Sequence, residues 1–100
     1  MDLYEIAKLI PSKYRKKILK ENHFYKAVLE FHDVNMQQLW FYWANFIEPD
    51  SPLYTYTISA GTINITNQCK QCLSNLYKKW EAIMPHLIQL QQEENLLKSL

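Results

Sequence analysis

The sequence predicts a mainly α fold: a small helical domain with one β-hairpin, about residues 54–66, and a long C-terminal helix. Three observations carry this expectation. Apolar residues recur at helical spacing before residue 48 and again after residue 67. Between these regions the apolar period drops from 3.6 to 2. Finally, Met36–Ile47 is apolar nearly all round, with Gln37, Gln38 and Asn45 its polar exceptions, which marks a central helix enclosed by other elements or by a partner.

The elements follow in order. Leu3, Ile6, Ala7 and Ile10 share one helical face behind Asp2, a good N-cap, and Pro11 closes or kinks this first helix. Ser12 can cap a second helix, Lys13 to Lys20, with Tyr14, Ile18 and Leu19 as its apolar residues; Glu21-Asn22 interrupts. Phe24, Ala27, Val28 and Phe31 repeat the helical spacing through about His32. Asp33 or Asn35 can then cap the central helix, whose stripe is Met36, Leu39, Trp40, Trp43, Ala44 and Ile47. Glu48-Pro49-Asp50-Ser51-Pro52 is a loop.

Tyr54, Tyr56 and Ile58 alternate with threonine and serine, as do Ile63 and Ile65 with threonine and asparagine, so the segment reads as a hairpin. One apolar face requires Ile58 opposite Ile63 and Tyr56 opposite Ile65. Ala60-Gly61 suits neither primed two-residue turn, which favours a four-residue loop from Ser59 to Thr62. Cys69, Leu73, Leu76, Trp80, Ile83, Leu87, Leu90 and Leu97 then hold a 3-4 alternation that Glu94 alone breaks. The phase is the same on both sides of Pro85, which favours one kinked helix over two.

Composition bounds the function. The 100 residues suit a single domain, residues 1–100, with 48% hydrophobic and 14% aromatic residues and a net charge of +1. One glycine leaves no phosphate-cradling loop. The start, MDLYEIAK, lacks a signal peptide's basic and apolar regions, and the central apolar run is too short to span a bilayer. A cytoplasmic protein with no membrane segment is therefore expected. Two cysteines in that compartment read as thiols.

Cys69-Lys70-Gln71-Cys72 is a recognisable motif. It sits where a redox pair would, opening a helix after a strand, but the surrounding elements lack the βαβ units of a thioredoxin-like fold. Zinc would need two more ligands, and His23, His32 and His86 lack the spacing. The expected role is that of small core residues, with no metal and no cofactor. For catalysis, neither His32-Asp33 nor Glu93-Glu94 comes with a third converging group, so no enzyme and no small-molecule substrate are expected.

Two surfaces remain. The apolar seam of Leu73, Leu76, Trp80, Ile83, Leu87 and Leu90 is the expected interface with a second copy or a protein partner. The basic stretch Lys13, Arg15, Lys16, Lys17 and Lys20 lies in a segment from residue 8 to 26 whose only acid is Glu21; its charges are clustered enough to meet nucleic-acid phosphates. The element order is similar to that of a winged-helix DNA-binding domain, but the central helix, in the recognition position, carries no positive charge. The function expected is non-catalytic protein–protein interaction or assembly by helix packing, in the style of a phage or mobile-element structural or accessory protein. The alternative is a winged-helix-like nucleic-acid binder using the basic N-terminal third.

Overall fold

A computed structural model describes residues 1–21 and 23–99, the Tyr25 side chain excepted. The helices are α1 (Leu3–Lys8), α2 (Ser12–Lys20), α3 (His23–Lys26), α4 (Val34–Tyr42) and α5 (Lys70–Lys98), with a π-helical turn over Trp43–Ile47. Strands β1 (Tyr56–Ser59) and β2 (Thr62–Ile65) form an antiparallel hairpin. At 1.5 Å per residue α5 is about 43 Å long. That nearly matches the 46 Å long axis of the molecule, so α5 is the spine on which the rest is laid.

The caps are local chemistry. The Asp2 carboxylate accepts from the Glu5 N–H at 2.8 Å, and Asp33, rather than Asn35, accepts from the Met36 N–H at 2.9 Å. Glu21 ends α2, where the break is expected; Asn22 lies outside the described residues. Ser12 differs from expectation. It is the first residue of α2 rather than its cap, and its hydroxyl donates to both oxygens of Glu94, at 2.7 and 2.6 Å.

α4 and the π turn form the expected hub. Met36, Leu39, Trp40, Tyr42, Trp43 and Ala44 are buried, together with Leu73, Leu76, Trp80, Ile83, Met84, Leu87 and Leu90 of α5. Burying an indole requires an acceptor for its N–H, and all three have one. Trp40 Nε1 donates to the Thr55 carbonyl at 3.2 Å, Trp43 Nε1 to Glu48 Oε1 at 2.9 Å, and Trp80 Nε1 to the Leu39 carbonyl at 3.1 Å. The Trp43 and Trp80 rings meet edge to face at 5.4 Å, fixing the hub against the spine.

The π turn is not visible in the spacing. Its cause lies in Asn45, whose side-chain amide donates to the Phe41 carbonyl at 2.7 Å, the acceptor a regular helix reserves for the Asn45 backbone N–H. The ladder then widens, and the Glu48 N–H donates to the Trp43 carbonyl at 3.0 Å, five residues back. The widened turn seats Phe46 against Tyr14 of α2, with ring centroids 4.8 Å apart.

Three further expectations are corrected. The helix drawn from Phe24 to about His32 is only the single turn of α3. The carbonyls beyond it are taken by the start of the hub: Asn35 Nδ2 donates to the Lys26 carbonyl and Gln37 Nε2 to that of Phe31, both at 3.1 Å. These side-chain bonds hold residues 27–33 as a looped strap. In the hairpin, the register is Tyr56 opposite Ile65 and Ile58 opposite Ile63, as expected, but Ser59 also pairs with Thr62. The loop is therefore Ala60-Gly61 alone, with φ of +51° and +79°. Ala60 accepts a left-handed backbone so that the Tyr56–Ile65 and Ile58–Ile63 pairs keep one face. Even so, Ile58 remains 59% exposed; Ile65 and Tyr54 are buried in the core, and Tyr56 packs against it half-buried.

The third correction concerns the cysteines. Instead of two thiols, Cys69 and Cys72 are joined by a disulfide. Cys69 also caps α5, its sulfur accepting from the Cys72 N–H at 3.0 Å. α5 itself runs unbroken past Pro85. Pro85 and Glu81 both lie on the exposed face, so the carbonyl deprived of its N–H donor has solvent at hand.

Candidate functional site

The most developed concavity opens between α1, the π turn and the middle of α5. It has a volume of about 350 Å³, and Leu3, Ile6, Leu9, Trp43, Ile47, Ala82 and Ile83 give it apolar walls. α1 is too short to cover the spine on all sides. Ala7 and Ile10 are fully buried against α5, whereas Leu3, at the start of the same face, and Leu9, off that face, stay exposed. Along the opposite wall, the π turn carries Ile47 past the last turn of the hub.

A polar group closes one end of this groove. Glu48 accepts from the Trp43 indole and from Lys79 Nζ, the latter at 3.3 Å, while Lys79 also donates to the Tyr54 hydroxyl at 2.9 Å. The ammonium lies over the Tyr54 ring at 5.4 Å and over the Trp43 ring at 5.8 Å. Burial lowers the Lys79 pKa, but the Tyr54 oxygen and Glu48 outweigh it and hold the group above its ordinary value. The amine is kept protonated, a donor and cation rather than a nucleophile. The widened turn is what brings Glu48 back beneath the indole of Trp43.

Of the six residues expected as a partner interface, Ile83 borders this groove and the other five lie away from it. Leu73, Leu76, Trp80, Ile83, Leu87 and Leu90 are between 0 and 8% exposed within the chain's own core. A side chain enclosed by its own chain has no apolar surface left for another, so the seam is core rather than interface. The large apolar residues of α5 that face outward are off that stripe or beyond it: Ile88 at 40%, Leu96 at 66% and Leu97 at 70% exposure.

The basic residues divide into two groups. Arg15 donates to the Ile10 carbonyl at 2.9 Å and lies 3.8 Å from Glu94; Lys16 and Lys98 approach the same carboxylate at 3.7 and 3.5 Å. The Ser12 hydroxyl, which contributes most, and the Lys16 and Lys98 ammonium groups hold the Glu94 carboxyl below the usual carboxylate range. The residue that interrupts the leucine alternation is thus the polar clasp between α2 and the end of α5. Lys13, Lys17 and Lys20 share the other face of α2 and, among the described residues, form no ion pair.

Other expectations locate simply. The recognition-helix position of a winged helix is filled by the buried hub. Among the described residues no three His, Cys, Asp or Glu side chains gather as a metal site, and no helix is long and apolar enough to cross a membrane. The sequence reading missed the groove, although it held one signal: Leu9 is apolar yet falls off the Leu3-Ile6-Ala7-Ile10 stripe. Compared with protein-family models, curated proteins and solved structures, the chain matches none.

Proposed function

We infer that this protein is a non-catalytic interaction module, and that it docks a single apolar segment of another protein in the groove between α1 and α5. The observation that supports this reading is the groove itself: apolar walls, an open mouth, and Leu3 and Leu9 left exposed beside it. Its size suits the anchor side chains of one helix or strand. A self-standing dimer requires about 800 Å² on each partner, far more than this concavity offers. A small-molecule ligand is a poorer fit, because orienting one needs free polar groups and those at the rim already satisfy one another.

The test is heteronuclear NMR with an amphipathic leucine- and phenylalanine-bearing peptide. Its binding is expected to shift the Trp43 indole and the Ile47 and Ala82 amides. Ala82 is exposed on the groove floor, so Ala82→Glu is expected to abolish those shifts without altering the melting temperature. Equal binding by the variant, or shifts confined to other faces, overturns the reading. Light scattering provides the second arm: a concentration-dependent dimer that Ala82→Glu dissolves would make a second copy the occupant instead.

A further inference from the structure

The pair Cys69–Cys72 has no part in the groove. Its bond joins residues three apart in sequence whose Cα atoms are 5.2 Å apart. A cross-link constrains the unfolded chain more as its loop lengthens, so this one is near the lower limit of what a disulfide can contribute to a fold. Nor does it create the cap, since the Cys69 sulfur accepts from the Cys72 N–H at 3.0 Å and the Cys69 carbonyl from the Leu73 N–H at 3.1 Å as an ordinary N-cap would.

The two sulfurs stand in unlike surroundings. Cys69 is the cap, outside the helix, where the Cys72 N–H donates to its sulfur at the positive end of a 29-residue helix and Lys70 is next in sequence. Cys72 lies inside the first turn and packs against the hydrophobic core. A sulfur at a helix N-terminus is stabilised as thiolate, and one packed on apolar side chains is not. Neither residue is wholly enclosed. A second cleft, of about 190 Å³, reaches the residue just before Cys69, and the side-chain amides of Gln37, Asn64 and Gln68 line it beside Phe31. The three amide nitrogens donate to the Phe31, Thr62 and Ile65 carbonyls, which turns the amide oxygens over to accepting from a peptide-like molecule.

We propose that Cys69 and Cys72 form a thiol–disulfide exchange site for low-molecular-weight, peptide-like disulfides, with Cys69 as the attacking sulfur and Cys72 as the resolving one. In the dithiol form the Cys69 thiolate attacks one sulfur of R–S–S–R; a Cys69–S–S–R bond forms and RS⁻ departs, taking a proton. The Cys72 thiol then gives up its proton and attacks the Cys69 sulfur, forming the bond seen in the structure and expelling the second RS⁻. Two electrons pass from the dithiol to the disulfide, and two RSH molecules are released. The reverse sequence reduces the site at the expense of two thiols.

Glutathione disulfide is the probe. The reduced wild-type chain is expected to become the internal disulfide while releasing two equivalents of glutathione. In the reduced wild type, iodoacetamide at neutral pH is expected to modify Cys69 at least about tenfold faster than Cys72, which peptide mass spectrometry reads without any variant. Cys72→Ser is expected to accumulate a mixed disulfide at position 69, and Cys69→Ser to react more slowly by the same margin. Oxidised and reduced forms are expected to melt within a few degrees of each other. Equal alkylation of the two cysteines overturns the proposal. So does a reduced chain that loses its fold, because the bond would then be structural.

Discussion

The two halves of α5 obey the same leucine alternation, yet they are covered by different means. From Lys70 to Met84 the spine faces the hub, and the contact is mainly aromatic: Trp80 is fully enclosed, edge to face with Trp43, and Tyr77 stacks on Phe24 at 5.1 Å. From Pro85 onward it faces α1 and α2. There the apolar contact narrows to Leu87 and Leu90 and is bordered by polar ones, Tyr4 to Glu93 at 3.0 Å and Ser12 to Glu94. The alternation itself ends in open solvent at Leu97. Periodicity therefore marks which face of a helix turns inward, while what stands opposite decides whether that face becomes core, clasp or free end.

The largest expected effect tests whether the seam is internal on the second half as well. Leu87→Glu places a carboxylate among fully enclosed side chains, at a cost of several kcal/mol. It is expected to unfold the chain by circular dichroism, and a folded monomer emerging from an oligomer would restore the seam as an interface. Next comes Trp80→Ala, at about 3–5 kcal/mol, read as a denaturant midpoint shift. A cost below 1 kcal/mol would show that the aromatic half is no more demanding than the other.

The two halves should also respond to different ranges of pH. His23 packs on Tyr42 of the hub, and burial holds its imidazole below the ordinary value. The unfolded chain then binds that proton more readily, so stability is expected to fall as pH drops below about 6.5 toward the depressed folded value. Glu94 is also depressed, chiefly by Ser12, so its contribution holds above the ordinary carboxylate value and is lost as pH falls through the lower folded one. His23→Phe should flatten the first limb of a melting-temperature profile and Glu94→Gln the second. A profile unchanged by either substitution would remove the distinction. The smallest effect is expected at the free end, where Leu97→Lys should shift stability by less than about 0.5 kcal/mol.

The hub, the hairpin register and the unbroken C-terminal helix were legible because each rests on a repeating pattern that burial enforces. What escaped rests on single side chains. Asn45 widens a turn by taking one carbonyl, and Asn35 and Gln37 hold carbonyls that a longer α3 would need. Neither act leaves a period to read. Ala60 shows the opposite: its local preference argued for a longer loop, and pairing Ser59 with Thr62 prevailed over the strain. The candidate groove was illegible for a third reason. It is made by what α1 fails to cover, and a sequence records coverage only where it occurs. Glu94 was visible as a break in the alternation, but nothing nearby in sequence named Ser12, 82 residues away, as its partner.

The π turn over Trp43–Ile47 has a consequence for how the chain tolerates changes in length. Such a turn is a helix carrying one residue more than its hydrogen bonds require, so it is a place where a residue can leave. Deleting Asn45 would let the ladder close as an ordinary helix, with Met36 to Trp43 unmoved and the slack taken up in the loop before Pro52. The same deletion at Lys78 would turn everything beyond it by about 100°, carrying Ile83, Leu87 and Leu90 off the core. A melting curve for each deletion would weigh one against the other, the first expected to stay cooperative and the second to be lost. The hub is thus the part of this molecule that holds its aromatic face while its length remains negotiable.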